Sequence, residues 1–311
     1  MERVLVTGAS GFIGKQLIAE LIKKGKGVTA VLRDDGKLAG MRDSCLDIVH
    51  CPMEEIAKLE KTLGGKEQYD TLYHLAWGGT SGVGRSDYRM QSNHIRYTLD
   101  LIHAASELGI KRFVGAGTIA EYDNLCYLPL DNAIPNAVSM YGAAKIAAHF
   151  MSKIECNRLG MEHIWGIFSN IYGPGNETGN FVNFAVRMML SGERAAFTAG
   201  EQYYDFVYIS DFIKGLYLLG EYGKGNHEYF IGSGTPRKLK EYIYVIRDAV
   251  DKNIELYLGE IPFRGVSLRP EQLTIKKLQN VSGYVPAVGF EEGIERTVEW
   301  YRESMKSDNR Q

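Results

Sequence analysis

A tyrosine and a lysine, Tyr141 and Lys145, stand four residues apart in the segment Tyr-Gly-Ala-Ala-Lys. The residues around them predict a helix over 141–159, which Gly160 would end. Residues four apart share one helix face, so the phenol and the ammonium can reach one site. A nearby cation favours the phenolate over the phenol, whose ordinary pKa is about 10. The pair is therefore a candidate for general acid–base catalysis.

A second hydroxyl, that of Thr118, is a candidate partner for the tyrosine. Thr118 follows the short strand predicted over 112–114, where the chain would run out into a loop. Ligands in open α/β sheets bind at the carboxyl ends of the strands. We therefore expect Thr118 to hydrogen-bond a reacting oxygen opposite Tyr141.

A glycine-rich turn lies between the first predicted strand, over 4–6, and a helix predicted over 12–24. Such a turn lets the backbone approach a pyrophosphate, and the helix N-terminus supplies unpaired N–H groups and the positive end of its dipole. The spacing departs from the usual GxGxxG, but the mechanical logic is the same. The turn predicts a bound dinucleotide, with contacts from Gly8, Ser10, Gly11, Phe12, Ile13 and Gly14.

The end of the second strand, predicted over 28–32, bears on the choice of dinucleotide. It continues as Arg33-Asp34-Asp35. An arginine at this position accommodates the 2′-phosphate of NADP, whereas a carboxylate hydrogen-bonds the ribose hydroxyl of NAD. Because Arg33 comes first, we favour NADP(H), and the acidic pair leaves NAD(H) open.

Strands and helices alternate over the first 170 residues or so. Further strands are predicted over 47–50, 71–76 and 164–168, and a helix over 93–108. This order indicates an α/β fold, a doubly wound parallel Rossmann sheet. We predict a dinucleotide-binding domain over 1–172, to which 205–232 returns, and a smaller substrate-binding lobe made of 173–204 and 233–311.

Composition excludes several classes of protein. Lys plus Arg number 36 and Asp plus Glu 38 among 311 residues, whereas a nucleic-acid binder normally has a basic excess. The four cysteines form no CxxC pair, so neither zinc nor a disulfide framework is expected. No apolar run approaches the ~18 residues that span a bilayer, and the N-terminus does not read as a signal peptide. We expect a cytoplasmic protein with no metal, nucleic-acid polymer or membrane partner.

The motifs together resemble the extended short-chain dehydrogenase/reductase family, which comprises sugar-nucleotide epimerases, dehydratases and reductases. Besides the glycine turn, Thr118, Tyr141 and Lys145, the resemblance rests on His74-Leu75-Ala76, Asn93, and the segments 170–175 and 205–211. It covers nearly the whole chain.

The resemblance implies roles for the site residues. Tyr141 would be the acid/base, Lys145 would hold the nicotinamide ribose, and Thr118 would orient the substrate oxygen. Further cofactor contacts are expected from Met53, Leu75, Ala76, Trp77 and Ser169, and nucleotide-sugar contacts from Arg85, Asn170, Phe181 and Arg264. The helices over 93–108 and 141–159 resemble those that form the family's dimer interface, so we expect a homodimer.

The sequence also departs from the family pattern. Where similar dehydratases follow the threonine with an Asp-Glu pair, this chain has Ile119-Ala120, which cannot move a proton. Tyr204 replaces an arginine expected near the substrate diphosphate, and Arg85, in a glycine-rich loop, could substitute for it. Glu121 is open to two interpretations, a substrate contact or a structural role.

These departures favour one reaction among several. The expected function is NADPH-dependent reduction of the C4 keto group of a nucleotide-linked 4-keto-6-deoxy sugar, with Tyr141 as the proton donor. One alternative is an NAD-dependent C4 epimerase of a nucleotide sugar. Another is a noncatalytic, dinucleotide-binding regulatory protein, which would have no need of the acid/base residues.

Overall fold

The structure, a computed structural model, describes residues 1–33, 38, 41, 43–64, 67–129 and 134–308. Asp34 and Asp35, the acidic pair that bears on the choice of dinucleotide, lie outside the described residues.

Within the described residues the chain forms thirteen strands. In chain order they are β1 (Arg3–Thr7), β2 (Gly27–Leu32), β3 (Leu46–His50), β4 (Thr71–His74), β5 (Arg112–Ala116), β6 (Glu162–Phe168), β7 (Asn170–Tyr172), β8 (Ala195–Phe197), β9 (Tyr203–Tyr204), β10 (Phe206–Tyr208), β11 (His227–Ile231), β12 (Arg237–Lys238) and β13 (Leu256–Leu258).

The helices in those ranges are α1 (Phe12–Lys23), α2 (Leu59–Leu63), α3 (Tyr88–Glu107), α4 (Ile119–Tyr127), α5 (Ser139–Arg158), α6 (Phe181–Leu190), α7 (Ile209–Tyr222), α8 (Leu239–Val250), α9 (Lys276–Ser282) and α10 (Phe290–Asp308). Short 3₁₀ turns span Met53–Lys58, Gly82–Ser86 and Pro270–Gln272.

Seven strands form one parallel sheet in the order β11-β6-β5-β4-β1-β2-β3. The aliphatic centre of β1 is fully buried, because helices cover both faces of a sheet of this kind. α1 packs against α7, and α3 packs against α5, so that two helix layers enclose the sheet. The prediction of a doubly wound α/β sheet is confirmed.

The order of the strands reverses between β1 and β4, which are neighbours in the sheet although β2 and β3 lie between them in the chain. A crevice opens at such a switch point, outside the carboxyl ends of the strands. The turns after β1, β4, β5 and β6 all lead into this crevice.

The C-terminal elements pack beside that crevice. α6, α8 and α10 contact one another, and three small sheets pair β7 with β10, β8 with β13 and β9 with β12. β11 then returns to the edge of the large sheet, beside β6. The proposed division into a dinucleotide domain and a substrate lobe stays a prediction.

Helix α4 was not expected from the sequence. The residues after Thr118 form the nine-residue helix α4, where the sequence suggested a loop. Thr118 is its N-cap and Glu121 its third residue, and together they form a capping box. The helix fixes the direction in which Thr118 leaves the sheet.

Candidate active site

The glycine turn between β1 and α1 is closely packed. Gly8 has a φ of 70°, a left-handed conformation, and a Cβ there would lie 2.6 Å from the Ala76 amide nitrogen. A Cβ on Gly14 would overlap the Gly8 carbonyl oxygen and lie 2.8 Å from the Ala9 Cα. Both positions therefore require glycine, since backbone atoms cannot move aside as a side chain can.

The turn opens onto a cleft that a dinucleotide fits. A Cβ on Gly11 would meet only the Gly8 carbonyl oxygen, at 3.2 Å, and would otherwise project into the cleft that Gly11 lines. Gly11 is also the N-cap of α1, whose first turn carries no acidic residue to repel a phosphate. Bare backbone and an unobstructed helix N-terminus are what a pyrophosphate needs.

Every residue predicted to contact the cofactor lines one of two adjoining parts of this cleft. The two parts share Gly8, Gly11, Leu75 and Trp77. The inner part is also lined by Phe12, Ile13, Gly14, Tyr141, Lys145 and Ser169, and the outer part by Ser10, Arg33, Met53 and Ala76. Their role as cofactor contacts stays a prediction.

Glu54 is a lining residue of the outer part that the sequence analysis missed. Glu54 directly follows Met53, and the 3₁₀ turn that begins at Met53 places the exposed Glu54 side chain on this cleft.

Tyr141 and Thr118 meet at the inner end of the cleft. Thr118 lies where β5 passes into α4, and Tyr141 is in the first turn of α5. The Thr118 oxygen accepts a hydrogen bond from the Ala120 amide at 3.3 Å, which leaves its own O–H available to donate. The Thr118 side chain faces the phenol and lowers the pKa of Tyr141.

Burial is the larger influence on the phenol. It raises the pKa of Tyr141 to about 12, although Thr118 and the Arg85 cation act in the opposite direction. Tyr141 therefore holds its proton at neutral pH in this structure. A phenol in that state can donate a proton to an oxygen that is becoming an alkoxide.

Lys145 lies one turn further along α5 and is almost fully buried. Its Nζ donates a hydrogen bond of 2.7 Å to the Ala116 carbonyl oxygen and lies 3.8 Å from the centre of a Trp77 ring. Burial lowers the pKa of Lys145 to about 7, and the Glu121 carboxylate acts against this shift. The ammonium has two further N–H groups with which to hold a ribose hydroxyl.

Trp77 joins the cofactor cleft to the glycine-rich loop. Its Nε1 donates to the Gln91 Oε1 at 2.8 Å, and its ring stacks on His94 with centroids 5.1 Å apart. The fully buried Gln91 amide in turn donates to the carbonyl oxygens of Gly79 and Gly84, at 3.1 and 2.9 Å. Gln91, which the sequence analysis did not single out, therefore fixes the loop that carries Arg85.

A second pocket adjoins the inner cleft and shares Arg85, Thr118, Ser169 and Asn170 with it. Helix α4 and the segment after β13 supply much of its wall. It is also lined by Ile119, Ala120, Asp123, Asn124, Tyr127, Asn136, Val138, Ser139, Tyr203, Tyr204, Phe263, Gly265, Val266 and Leu268. We call it the sugar pocket after the substrate that the sequence analysis predicts, and this role stays a prediction. Of the predicted substrate residues, Arg85, Thr118 and Asn170 reach it.

Phe181 and Arg264 are placed differently. The Phe181 ring packs against Phe197 and Phe206, with centroids 5.9 and 6.0 Å away, and it does not line the sugar pocket. The Arg264 carbonyl oxygen accepts a hydrogen bond from the Tyr127 hydroxyl, and only its neighbours Phe263 and Gly265 line the pocket. The structure does not bring these two side chains together with the catalytic residues.

Glu121 has the structural role of the two left open by the sequence. Its buried carboxylate accepts hydrogen bonds from the Thr118 amide at 2.8 Å and from the Trp165 Nε1 at 3.2 Å. It also pairs with the His149 Nδ1 at 3.0 Å. Glu121 lies outside the sugar pocket, so its effect on the site is to hold Thr118 in place.

Ser169 and Asn170, which follow β6, are both held by the buried Asp205. The Ser169 hydroxyl donates to the Asp205 Oδ1 at 2.5 Å, and the Asn170 Nδ2 donates to the Asp205 carbonyl oxygen at 3.0 Å. The Ser233 amide and hydroxyl donate to the same carboxylate. Asp205 thus anchors the edge shared by the cleft and the sugar pocket.

Within the ranges that the structure describes, no helix has the length and apolar character to cross a membrane. The same residues bring no three metal-ligating side chains of His, Cys, Asp or Glu together.

Comparisons with known proteins agree with this geometry. The sequence model of the NAD-dependent epimerase/dehydratase family matches residues 4–232. The UDP-glucose 4-epimerase of Mycolicibacterium smegmatis is 26% identical, over 96% of this chain and 98% of the relative. The dTDP-glucose 4,6-dehydratase of Salmonella typhimurium is also 26% identical, over 96% and 92%.

A solved structure has the same fold. The UDP-glucose 4-epimerase of Thermotoga maritima, determined with UDP-glucose, matches with a TM-score of 0.77 and 24% identity, over 97% of this chain and 99% of that one. The matched region of the family sequence model includes the glycine turn, Thr118, Tyr141 and Lys145.

Proposed function

This chain belongs to the NAD-dependent epimerase/dehydratase family, and we propose that it reduces the C4 keto group of a nucleotide-linked 4-keto-6-deoxy sugar. The observation that supports the proposal is the placement of the Tyr141 phenol beside Thr118, where the dinucleotide cleft adjoins the sugar pocket. The presence of Thr118, Tyr141 and Lys145 in one site supports an enzyme over a noncatalytic relative.

Different residues of this chain bind the dinucleotide and transfer the proton to the sugar C4 oxygen. When bound, the dinucleotide supplies or accepts hydride. The glycine turn would hold its pyrophosphate, and Lys145 its nicotinamide ribose. Tyr141 donates its proton to the C4 oxygen, and Thr118 donates a hydrogen bond to the same atom as negative charge develops there.

The state of Tyr141 is compatible with reduction. Burial raises the pKa of the Tyr141 phenol to about 12, so the phenol carries a proton at neutral pH that it can give to an oxygen that is becoming an alkoxide. Oxidation of a C4 hydroxyl, the first half of epimerisation, requires the opposite state of Tyr141. The Ile119 and Ala120 side chains in the sugar pocket also argue against dehydration, since neither can move a proton.

A C4 epimerase of a nucleotide sugar is the second candidate. The comparisons support this candidate, because 4-epimerases match nearly the full length of this chain. An epimerase oxidises and then reduces the same carbon, and it regenerates its dinucleotide within each turnover.

One experiment separates the two reactions. Purified protein is assayed with a panel of nucleotide-linked 4-keto sugars for NADPH and NADH oxidation, and with UDP-glucose for conversion to its C4 epimer. We expect stoichiometric cofactor oxidation and a single reduced product by NMR. Tightly retained NAD, interconversion of UDP-sugars and no net cofactor oxidation would establish the epimerase in its place.

NAD(H) is supported as a cofactor by the family to which the chain belongs, and we propose a preference for NADP(H) on account of Arg33. Arg33 lies at the carboxyl end of β2 and lines the outer cleft. A charged hydrogen bond to a phosphate is worth about 1.5–3 kcal/mol. We therefore expect Arg33→Ala to weaken NADPH binding roughly tenfold to a hundredfold and to leave NADH binding nearly unchanged.

Fluorescence titration of both dinucleotides measures this effect. Arg158→Ala is the matched control, because Arg158 lies at the end of α5 and pairs with Glu155 away from the cleft. Equal losses of NADH and NADPH affinity in the Arg33 variant would show that the preference for NADP(H) does not rest on this residue.

A homodimer is the proposed assembly. α5 packs against α3 and leaves apolar side chains exposed, with Phe150 67% and Ile154 50% accessible. These residues lie four apart and so share one face of α5. We expect Phe150→Glu with Ile154→Glu to convert a dimer into a monomer, measured by light scattering at micromolar concentration. Tyr222→Glu, at an exposed aromatic elsewhere, serves as the control, and a wild-type monomer would refute the proposal.

A further inference from the structure

Asp123 is a carboxylate in the sugar pocket to which the proposed mechanism gives no role. It lies on α4, four residues after Ile119, and so on the same face of the helix. Among the residues that the structure describes, no group donates a hydrogen bond to it or pairs with it at ion-pair distance. By contrast, the buried carboxylates of Glu121 and Asp205 each accept several hydrogen bonds.

Arg85 lines the same pocket and carries the opposite charge. Its guanidinium lies over the Tyr141 ring, 4.7 Å from the ring centre, and its Nη1 makes a long hydrogen bond of 3.4 Å to the Thr80 carbonyl oxygen. The buried Arg85 Nε has no hydrogen-bond partner within the part of the chain that the structure describes. Arg85 therefore reaches the sugar end of the site with donor groups still to satisfy.

The two charges influence each other without direct contact. Burial raises the pKa of Asp123 to about 6, and Arg85 is the charged group that acts to lower it. Tyr204 is close enough to both that Asp123 raises its pKa and Arg85 lowers it. Among the described residues that line it, the sugar pocket thus carries one positive side chain, Arg85, and one negative side chain, Asp123.

We propose that Arg85 and Asp123 select a nucleotide sugar whose hexose is neutral, with Asp123 accepting a hydrogen bond from a sugar hydroxyl and Arg85 donating one to a sugar oxygen. This inference rests on the proposed function and names the class of sugar. A hydroxyl can donate and accept, so it satisfies both groups. A uronate would bring a second anion beside Asp123, and a free amine would bring a second cation beside Arg85.

The raised pKa of Asp123 also indicates that this carboxylate serves ligand binding and does not stabilise the fold. Its pKa in the folded protein lies above the ordinary value of 3.8, so its ionised form is disfavoured by folding. The charge therefore costs stability at pH 7. This cost begins to decrease as the pH falls through about 6, and it is gone only below the ordinary pKa of 3.8. We expect Asp123→Asn to melt at the same or a higher temperature than the wild type.

Calorimetric binding to matched ligands tests the selection without relying on turnover. The probes are UDP-glucose and UDP-glucuronate, their dTDP counterparts, and UDP and dTDP alone. The wild type should bind the glucose form at least about tenfold more tightly than the uronate form. In Asp123→Asn this ratio should fall about tenfold, because Arg85 remains to attract the uronate. Arg85→Gln should retain little affinity for the uronate.

A pH series provides a second readout. Wild-type affinity for the uronate should rise as the pH falls from about 7 to about 5, since Asp123 becomes neutral over that range. The Asp123→Asn variant should lack this rise. Asp248→Asn, at an exposed carboxylate on α8, should behave like the wild type in both experiments.

The outcomes distinguish this inference from the proposed function. If the wild type binds the uronate as tightly as the glucose form, or if Asp123→Asn leaves their ratio unchanged, the selection is refuted while binding of nucleotide sugars stands. If the protein binds none of these sugar nucleotides, the proposed nucleotide-sugar site fails and this inference fails with it.

Discussion

Replacing Tyr141 with phenylalanine is expected to lower turnover by roughly 10²–10⁴-fold while the dinucleotide still binds. The substitution removes the one proton that the mechanism moves to the C4 oxygen. It keeps the ring that packs edge-on against Trp77, with centroids 6.5 Å apart, and that lies under the Arg85 guanidinium. The shape of the site should therefore survive the loss of its chemistry.

Steady-state turnover and fluorescence titration of the dinucleotide measure the two halves of this prediction. Tyr122→Phe is the matched control, since Tyr122 is a partly buried phenol on α4 that stacks on Phe230 outside both the cleft and the sugar pocket. Unchanged turnover in the Tyr141 variant would remove Tyr141 from the mechanism. Loss of turnover and dinucleotide binding together would assign Tyr141 a structural role.

The parts of the site that sequence reasoning placed correctly are those determined by local patterns. The glycine turn is one continuous segment between a strand and a helix, and its conformation follows from the residues within it. Tyr141 and Lys145 are fixed relative to each other by a single helix. The strand order then brings these two segments together, because parallel strands present their carboxyl ends at one edge.

Helix α4 could have been predicted from the sequence. Because it was not, the roles of Glu121 and Asp123 were not recognised. Thr118 and Glu121 have the S/T-x-x-E spacing of a capping box, a direct signal for the start of a helix. A helix predicted from that spacing would have identified Glu121 as part of the N-terminal cap of α4. It would also have placed Asp123 one turn beyond Ile119, on the face that lines the sugar pocket.

The substrate residues were harder to predict because their positions depend on contacts between distant segments. Phe181 begins α6, whose orientation is set by packing against α8 and α10, and its ring turns into that apolar cluster. The segment around Arg264 reaches the sugar pocket through Phe263, although sequence alone offers no reason to prefer one neighbour. β11 was not predicted as a strand, because its extended conformation depends on pairing with the distant strand β6.

Gly14→Ala is expected to produce the second large effect, on dinucleotide binding. The added Cβ would overlap the Gly8 carbonyl oxygen, so the turn between β1 and α1 must shift. Forcing a methyl into a packed site costs about 1–3 kcal/mol, and here the atoms that must move are the backbone that would contact the pyrophosphate. Because each 1.4 kcal/mol is tenfold, affinity for the dinucleotide should fall roughly tenfold to a hundredfold.

Thermal unfolding shows whether the Gly14 variant is folded, and dinucleotide titration measures its affinity. Gly289→Ala is the matched control, because a Cβ there would meet only Glu291, at an ordinary 3.8 Å. If the Gly14 variant binds the dinucleotide as tightly as the wild type, the turn is not the pyrophosphate site. If it loses affinity while folded, the backbone geometry of the turn is part of the binding site. The catalytic role of Tyr141 then depends on that turn to bring the dinucleotide to the sugar.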